Sequence, residues 1–194
     1  MKELKERIIH DGIVIDNRIL KVDSFLNQQL DPALICHIGT EFARRFSDTP
    51  IDRIVTIESS GIAVAYAAAL AMKNIPVVFA RKKMPSHAME NTYHTSVYSY
   101  TKEETYEVAI SKQFLPAGES VLIIDDFLAS GEAALGLASL LQEAQCNVAG
   151  IGIVIEKSFQ PGRQRLQEAG YRVEALAQIE KFENDRPVFN QAKS

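Results

Sequence analysis

Val121-Leu122-Ile123-Ile124-Asp125-Asp126-Phe127-Leu128-Ala129-Ser130-Gly131-Glu132-Ala133 is the stretch on which the fold turns. Four apolar residues in a row, Val121 to Ile124, read as a strand buried on both faces, as in a parallel sheet. Two acids follow at its carboxyl end, the edge where open α/β sheets bind ligands. Leu128 to Glu132 then form a small-residue turn that feeds a helix predicted over 132–144. Such a turn presents backbone N–H groups, and the helix dipole favours a phosphate beside them. Gly131 permits close backbone approach, and Ser130 adds a hydroxyl donor. A plain βα turn with an acidic first helical turn would read the same way, so the loop alone leaves both readings open.

Outward from this stretch, strands and helices alternate. Arg53 to Ile57 and Val77 to Ala80 are short β-rich runs, and Val148 to Ile155 is a longer one. Between the first two lies the alanine-rich segment Ile62 to Lys73, a strong helix former. Asp31-Pro32 reads as an N-cap with proline at the first helical position. Leu34, Ile38, Phe42 and Phe46 then recur every four residues along one helix face. Pro161-Gly162 opens a helix closed by Gly170, and Tyr171 to Ala177 is expected to be the last strand. Arg81 to Thr95 has no clear period and reads as a long loop, followed by a hairpin from Ser96–Tyr100 and Thr105–Ser111. The alternation predicts an α/β fold with a parallel-sheet core.

The chain has 194 residues, enough for one domain with a real core. Its 21 basic and 25 acidic residues give a net charge of −4, which argues against a general nucleic-acid binder. Net charge does not exclude a local anion site built from a few donors and cations. Cys36 and Cys146 stand apart, outside any metal-binding cluster, and suit a reduced compartment. No signal-peptide core and no apolar run of membrane-spanning length appears, so the expectation is a soluble, cytoplasmic protein without a membrane partner.

The string from Val121 to Ala133 resembles the 5-phosphoribosyl 1-diphosphate (PRPP) signature of type I phosphoribosyltransferases. That resemblance implies their fold: a parallel-sheet core with flanking helices, a flexible hairpin loop and a small hood. It implies that Asp125 and Asp126 hold the ribose hydroxyls, as catalytic residues. It implies that Leu128, Ala129, Ser130, Gly131 and Glu132 hold the ribose 5-phosphate. Carboxylates suit both tasks, since they accept hydroxyl protons and face the positive charge of an oxocarbenium-like transition state. This sequence departs from the family pattern twice. Ala133 stands where many members have threonine. Ala129 stands where the hypoxanthine-guanine members carry an aspartate, so no side chain is assigned as general base.

Glu58-Ser59-Ser60-Gly61-Ile62 is a second strand-to-helix turn, equally readable as an ordinary capped helix. It resembles the family's pyrophosphate loop, which assigns Ser59, Ser60 and Gly61 to pyrophosphate. Arg81 and Lys82, at the end of the next strand, would join them against the leaving group. The polar stretch to Tyr100 resembles the catalytic loop that closes over the site. Tyr93, Tyr98 and Tyr100 are expected to pack within the hairpin, and His87 and His94 to be solvated.

The flanking segments, Ile19 to Gln29 and Ile155 to Gly162, resemble the xanthine phosphoribosyltransferases of bacterial purine salvage. The likeness spans the chain. It implies one domain over 1–194, with a core at about 31–160 and a base-selecting hood from 1–30 and 161–194. It implies Leu20, Asn27 and Lys157 as xanthine-binding residues. Lys157 and the Asn27 amide supply the donors that the xanthine C2 carbonyl requires. Phe159 is a candidate to stack on the base. The implied reaction joins xanthine and PRPP into xanthosine 5′-monophosphate and pyrophosphate. Mg²⁺ would arrive with PRPP, no protein metal site is assigned, and a homodimer is implied. Rival readings are a hypoxanthine or guanine phosphoribosyltransferase and a non-catalytic PRPP-sensing regulator.

Overall fold

The computed structural model describes residues 1–82, 91–99 and 104–190. Its elements in chain order are α1 (Lys2–Asp11), β1 (Ile13–Ile15), β2 (Ile19–Lys21), α2 (Pro32–Arg45), β3 (Arg53–Ile57), α3 (Gly61–Ala71), β4 (Val77–Ala80), β5 (Thr92–Ser99), β6 (Glu104–Ser111), β7 (Ser120–Leu128), α4 (Glu132–Glu143), β8 (Asn147–Lys157), α5 (Gly162–Glu168), β9 (Val173–Glu183) and β10 (Arg186–Phe189). A single π-helical turn, Asp23–Asn27, links β2 to α2.

Six strands form the central sheet in the order β10-β9-β8-β7-β3-β4. Only β10 runs antiparallel to its neighbour. The most apolar strand, β7, lies inside the sheet between β3 and β8, as its uninterrupted hydrophobic run requires. Side chains alternate across it. Leu122 and Ile124 join Ile54, Val154 and the α1–α2 residues Leu4, Ile8, Ile38 and Phe42 in one buried layer. Val121 and Ile123 join Val55, Ile153, Leu137 and Leu141 in the other.

The helix signals hold in detail. The Asp31 carboxylate accepts from the Ala33 and Leu34 amides at 3.1 and 3.2 Å, capping α2 with Pro32 in its first turn. Leu34, Ile38, Phe42 and Phe46 are all buried on the sheet.

Three boundaries differ from expectation. β7 does not stop at Ile124: its pairing with β8 continues through Asp125↔Ile153 and Leu128↔Glu156. The acids therefore sit inside the last turns of the strand, and Leu128 belongs to the strand rather than to the loop. The long loop from Arg81 is shorter than read, because Thr92 to Thr95 pair with Ser111 to Val108 and begin β5. That hairpin gains its apolar support from α4, where Thr95 and Val97 lie over Gly136, a contact no local period reveals. His87 and Tyr100 lie outside the described residues, as do residues 83–90 of the stretch assigned to the closing loop.

Tyr171 to Ala177 is not the last strand. β9 runs to Glu183 and turns through Asn184 and Asp185, at φ 50° and 53°, into β10. Two consecutive residues with positive φ are the mark of a type I′ hairpin turn. The β1–β2 hairpin turns likewise through Asp16 and Asn17, at φ 53° and 47°. The two turns clasp each other: the Asn17 amide donates to Asp185 Oδ1 at 2.9 Å, and the Asp185 amide donates to Asn17 Oδ1 at 2.8 Å. Opposite ends of the chain thus meet above the carboxyl edge of the sheet. β9 and β10 serve both this clasp and the main sheet.

Candidate active site

Asp125 and Asp126 are 8% and 9% exposed at the carboxyl end of β7. The Asp126 amide donates to Asp125 Oδ1 at 3.0 Å. Burial pushes the Asp125 carboxyl well above the usual range, and the neighbouring Asp126 carboxyl adds to it. The Asp126 amide and the Lys82 ammonium pull the other way. Lys82 Nζ itself rests 5.1 Å from the centroid of the Tyr106 ring. Burial and the two aspartates raise the Tyr106 phenol. Tyr106, on β6, is a member of this cluster that the sequence reading missed.

The turn after β7 is held from behind. Gly131 has φ +88°, the left-handed region that favours glycine, and starts α4. Gly162, the first residue of α5, lies directly under the turn and donates its amide to the Ala129 carbonyl at 3.0 Å. A Cβ on Gly162 would fall 2.4 Å from that carbonyl oxygen, so no larger residue fits. Arg165 Nη1 donates to the Ser130 carbonyl at 2.7 Å and to Glu132 Oε1 at 2.5 Å. The Glu132 carboxylate is thus already engaged, and only its backbone remains to face an anion.

Ser59, Ser60 and Gly61 sit between β3 and α3, and the Ser60 side chain does not cap that helix. Glu58 ties this turn to the end of β4. Its carboxylate accepts from the Lys82 amide at 2.8 Å and lies 3.7 Å from Arg81 Nε. Arg81 is further fixed by backbone pairing with Ala109 of the hairpin.

The hood residues enter from separate elements. Lys157, at the end of β8, is half-buried. Its ammonium lies 6.0 Å from the ring centroids of both Phe127 and Phe182 and donates to the Arg18 carbonyl at 3.3 Å. Burial, with a smaller push from Arg18, lowers its pKa below the ordinary lysine value. Phe159 meets Phe182 edge to face, at 5.6 Å between centroids and 72° between planes. Leu20, in β2, is buried opposite Val14. Asn27 is exposed at the end of the π-turn, in a groove of about 490 Å³ shared with Ser59, Ser60, Leu26 and Tyr66. The structure therefore joins Lys157 to the β7 edge and Asn27 to the α3 turn, with no hydrogen bond between the two side chains.

Under this edge lies a buried ion pair. Glu156 is 1% exposed, and Arg163 of α5 meets it through Nε at 2.9 and 3.0 Å and through Nη2 at 2.5 Å. Ser158 Oγ and Gln178 Nε2 complete the carboxylate at 2.9 and 3.3 Å. Arg163, Arg165, Phe127 and Phe182 were missed because their partners lie on other elements.

Known proteins resemble this chain in sequence and fold. Residues 28–178 match the family model described as phosphoribosyl transferase domain. The chain belongs to the phosphoribosyltransferase family. This phosphoribosyltransferase is 54% identical over 189 residues to the xanthine phosphoribosyltransferase of Leuconostoc mesenteroides, covering 97% of this chain and 100% of that one. It is 50% identical over 189 residues to the xanthine phosphoribosyltransferase of Acinetobacter baylyi, covering 97% and 98%. Among solved structures, the adenine phosphoribosyltransferase of Saccharomyces cerevisiae superposes with a TM-score of 0.71 at 25% identity, covering 91% of this chain and 99% of that one. The Rhodothermus marinus enzyme of the same name gives 0.73 at 23% identity, covering 92% and 100%, which supports the fold.

Proposed function

We propose that this phosphoribosyltransferase moves the phosphoribosyl group of PRPP to xanthine, giving xanthosine 5′-monophosphate and pyrophosphate. One observation carries the reading: Lys157 Nζ lies over Phe127, the residue next to Asp126. A donor suited to an oxopurine thus packs on the strand end that also carries the acid pair suited to ribose. The xanthine phosphoribosyltransferases at 50–54% identity over nearly the whole chain support the same base.

In this reading the Ala129–Glu132 turn takes the 5-phosphate, with Leu128 ending the strand before it. Asp125 and Asp126 accept from the ribose hydroxyls and face the charge that develops at C1. Ser59, Ser60, Gly61, Arg81 and Lys82 take the pyrophosphate. The C1–oxygen bond to pyrophosphate breaks as N9 of the base bonds to C1, and N9 loses its proton. Leu20 and Asn27 frame the base from the hood, and Phe159 offers a ring face. Because most of these groups bind and orient, much of the rate gain comes from positioning.

Magnesium belongs to the PRPP substrate here. The donor set fits that role: Asp125 and Asp126 are buried, hard oxygen donors assigned to the ribose hydroxyls, and Mg²⁺ keeps its waters and needs few protein ligands. Bound with PRPP, the ion would supply charge neutralisation on the diphosphate. No described helix is long and apolar enough to cross a membrane. The proposal places the enzyme in the cytoplasm as a homodimer, acting on small molecules rather than nucleic acid, with the two chain ends as its base-selecting hood.

Pyrophosphate release with PRPP and Mg²⁺, measured for xanthine, hypoxanthine and guanine, tests the reading. The highest kcat/KM is expected for xanthine; no xanthine-dependent release refutes it. Lys157→Ala is expected to lower kcat/KM for xanthine by about 10- to 100-fold, the range of a lost charged hydrogen bond. Hypoxanthine, which lacks the C2 carbonyl, should lose less. Equal losses on both bases would remove Lys157 from base selection.

A further inference from the structure

We infer that Arg165 is a positioning residue for the phosphate turn, acting through the Ser130 carbonyl and the Glu132 carboxylate. The inference rests on the proposed binding of PRPP at this turn and goes beyond it by assigning the group that shapes the turn. Two peptide carbonyls are tied to α5: Ala129 accepts from the Gly162 amide, and Ser130 accepts from Arg165. In a trans peptide the C=O and the following N–H point in opposite directions. Fixing the carbonyls of Ala129 and Ser130 toward α5 therefore directs the amides of Ser130 and Gly131 away from it, as an anion cradle requires.

The same guanidinium solves a charge problem. Glu132 opens α4, where a carboxylate favours the helix dipole but opposes a phosphate on the adjoining turn. The Nη1 group that holds Ser130 also holds Glu132 Oε1, so one cation orients the turn and cancels its nearest acid. Loss of Arg165 would release both at once. Its partners lie 35 and 33 residues away in sequence, so the pairing belongs to the fold rather than to a local motif.

Titration calorimetry with Mg²⁺ and PRPP, without xanthine, tests this directly. Arg165→Met is expected to weaken PRPP binding about tenfold, equivalent to ~1.4 kcal/mol. In steady state its KM for PRPP should rise while its KM for xanthine stays within about twofold, a split that general loosening would not produce. Arg165→Lys, which keeps the charge, should recover most of the loss. PRPP affinity unchanged in Arg165→Met, or equal rises in both KM values, overturns the inference. Should Arg165→Met fail to fold, Arg165→Met/Glu132→Gln removes the ion pair whole. That variant is expected to bind PRPP about threefold more weakly than the parent, and parental affinity overturns the inference. A parent enzyme that does not bind PRPP refutes the proposed function instead, so the two failures are distinct.

Discussion

Asp125→Asn is expected to cost about two to three orders of magnitude in kcat while raising the melting temperature at neutral pH. The activity loss follows from the proposed ribose role. Asparagine keeps an acceptor but removes the negative charge facing C1, and losing one such electrostatic stabiliser typically costs about 10²–10³ in rate. The stability gain follows from burial. Asp125 and Asp126 lie side by side and nearly inaccessible, so Asp125 holds its proton to a higher pH in the folded chain than in the unfolded one. In the window between those two values the folded state binds more protons, and stability falls as pH rises. Below the unfolded value, about 3.9, the penalty is absent; above the folded value it is complete. The asparagine variant escapes it, so its advantage should appear at neutral pH and vanish toward pH 4. Melting curves at both pH values, beside turnover, read the two effects separately. A variant that melts lower at neutral pH, or turns over like the parent, defeats the prediction. The parent's activity should also fall on acidification at a higher pH than a free aspartate would give, because burial holds the Asp125 proton.

That coexistence of cost and use separates what the residue order could reveal from what it could not. The central strand, the acid pair and the two helix-opening turns are contiguous, so their spacing is readable along the chain. The α2 stripe is equally local, since a four-residue repeat maps directly onto one face of a helix. The type I′ turns at Asp16-Asn17 and Asn184-Asp185 also had a local signal in their residue types. Their mutual clasp had none, because it joins residues 168 positions apart. The same reason hides Arg165 and Tyr106. Each is an unremarkable surface-type residue until folding sets it against the phosphate turn or the acid pair. Asn27 and Lys157 matched a family pattern as a set, but the fold delivers them by different elements and toward different turns.

Arg163→Met should destabilise the fold by ~3–5 kcal/mol, the usual cost of stranding one member of a buried ion pair. Glu156 is the stranded group. It is almost wholly inaccessible, and Ser158 and Gln178 together cannot replace the charge that Arg163 supplies through two nitrogens. At this chain length each kcal/mol moves the melting temperature by about 2–4 °C, so the loss should be plain in a thermal scan. Glu156→Gln should cost less, because Arg163 is partly exposed and can recover water. Arg163→Met/Glu156→Gln should regain much of the single-variant loss, since it removes both charges together. The damage should also be directional. Glu156 immediately precedes Lys157, and its carboxylate holds Ser158 on the other side, so loosening it displaces the donor assigned to the base. In Arg163→Met at a temperature where it remains folded, KM for xanthine should therefore rise more than KM for PRPP, the reverse of the Arg165→Met pattern. An Arg163→Met enzyme within ~1 kcal/mol of the parent would mean that Glu156 finds other compensation and that Arg163 does not fix the Lys157 end of β8.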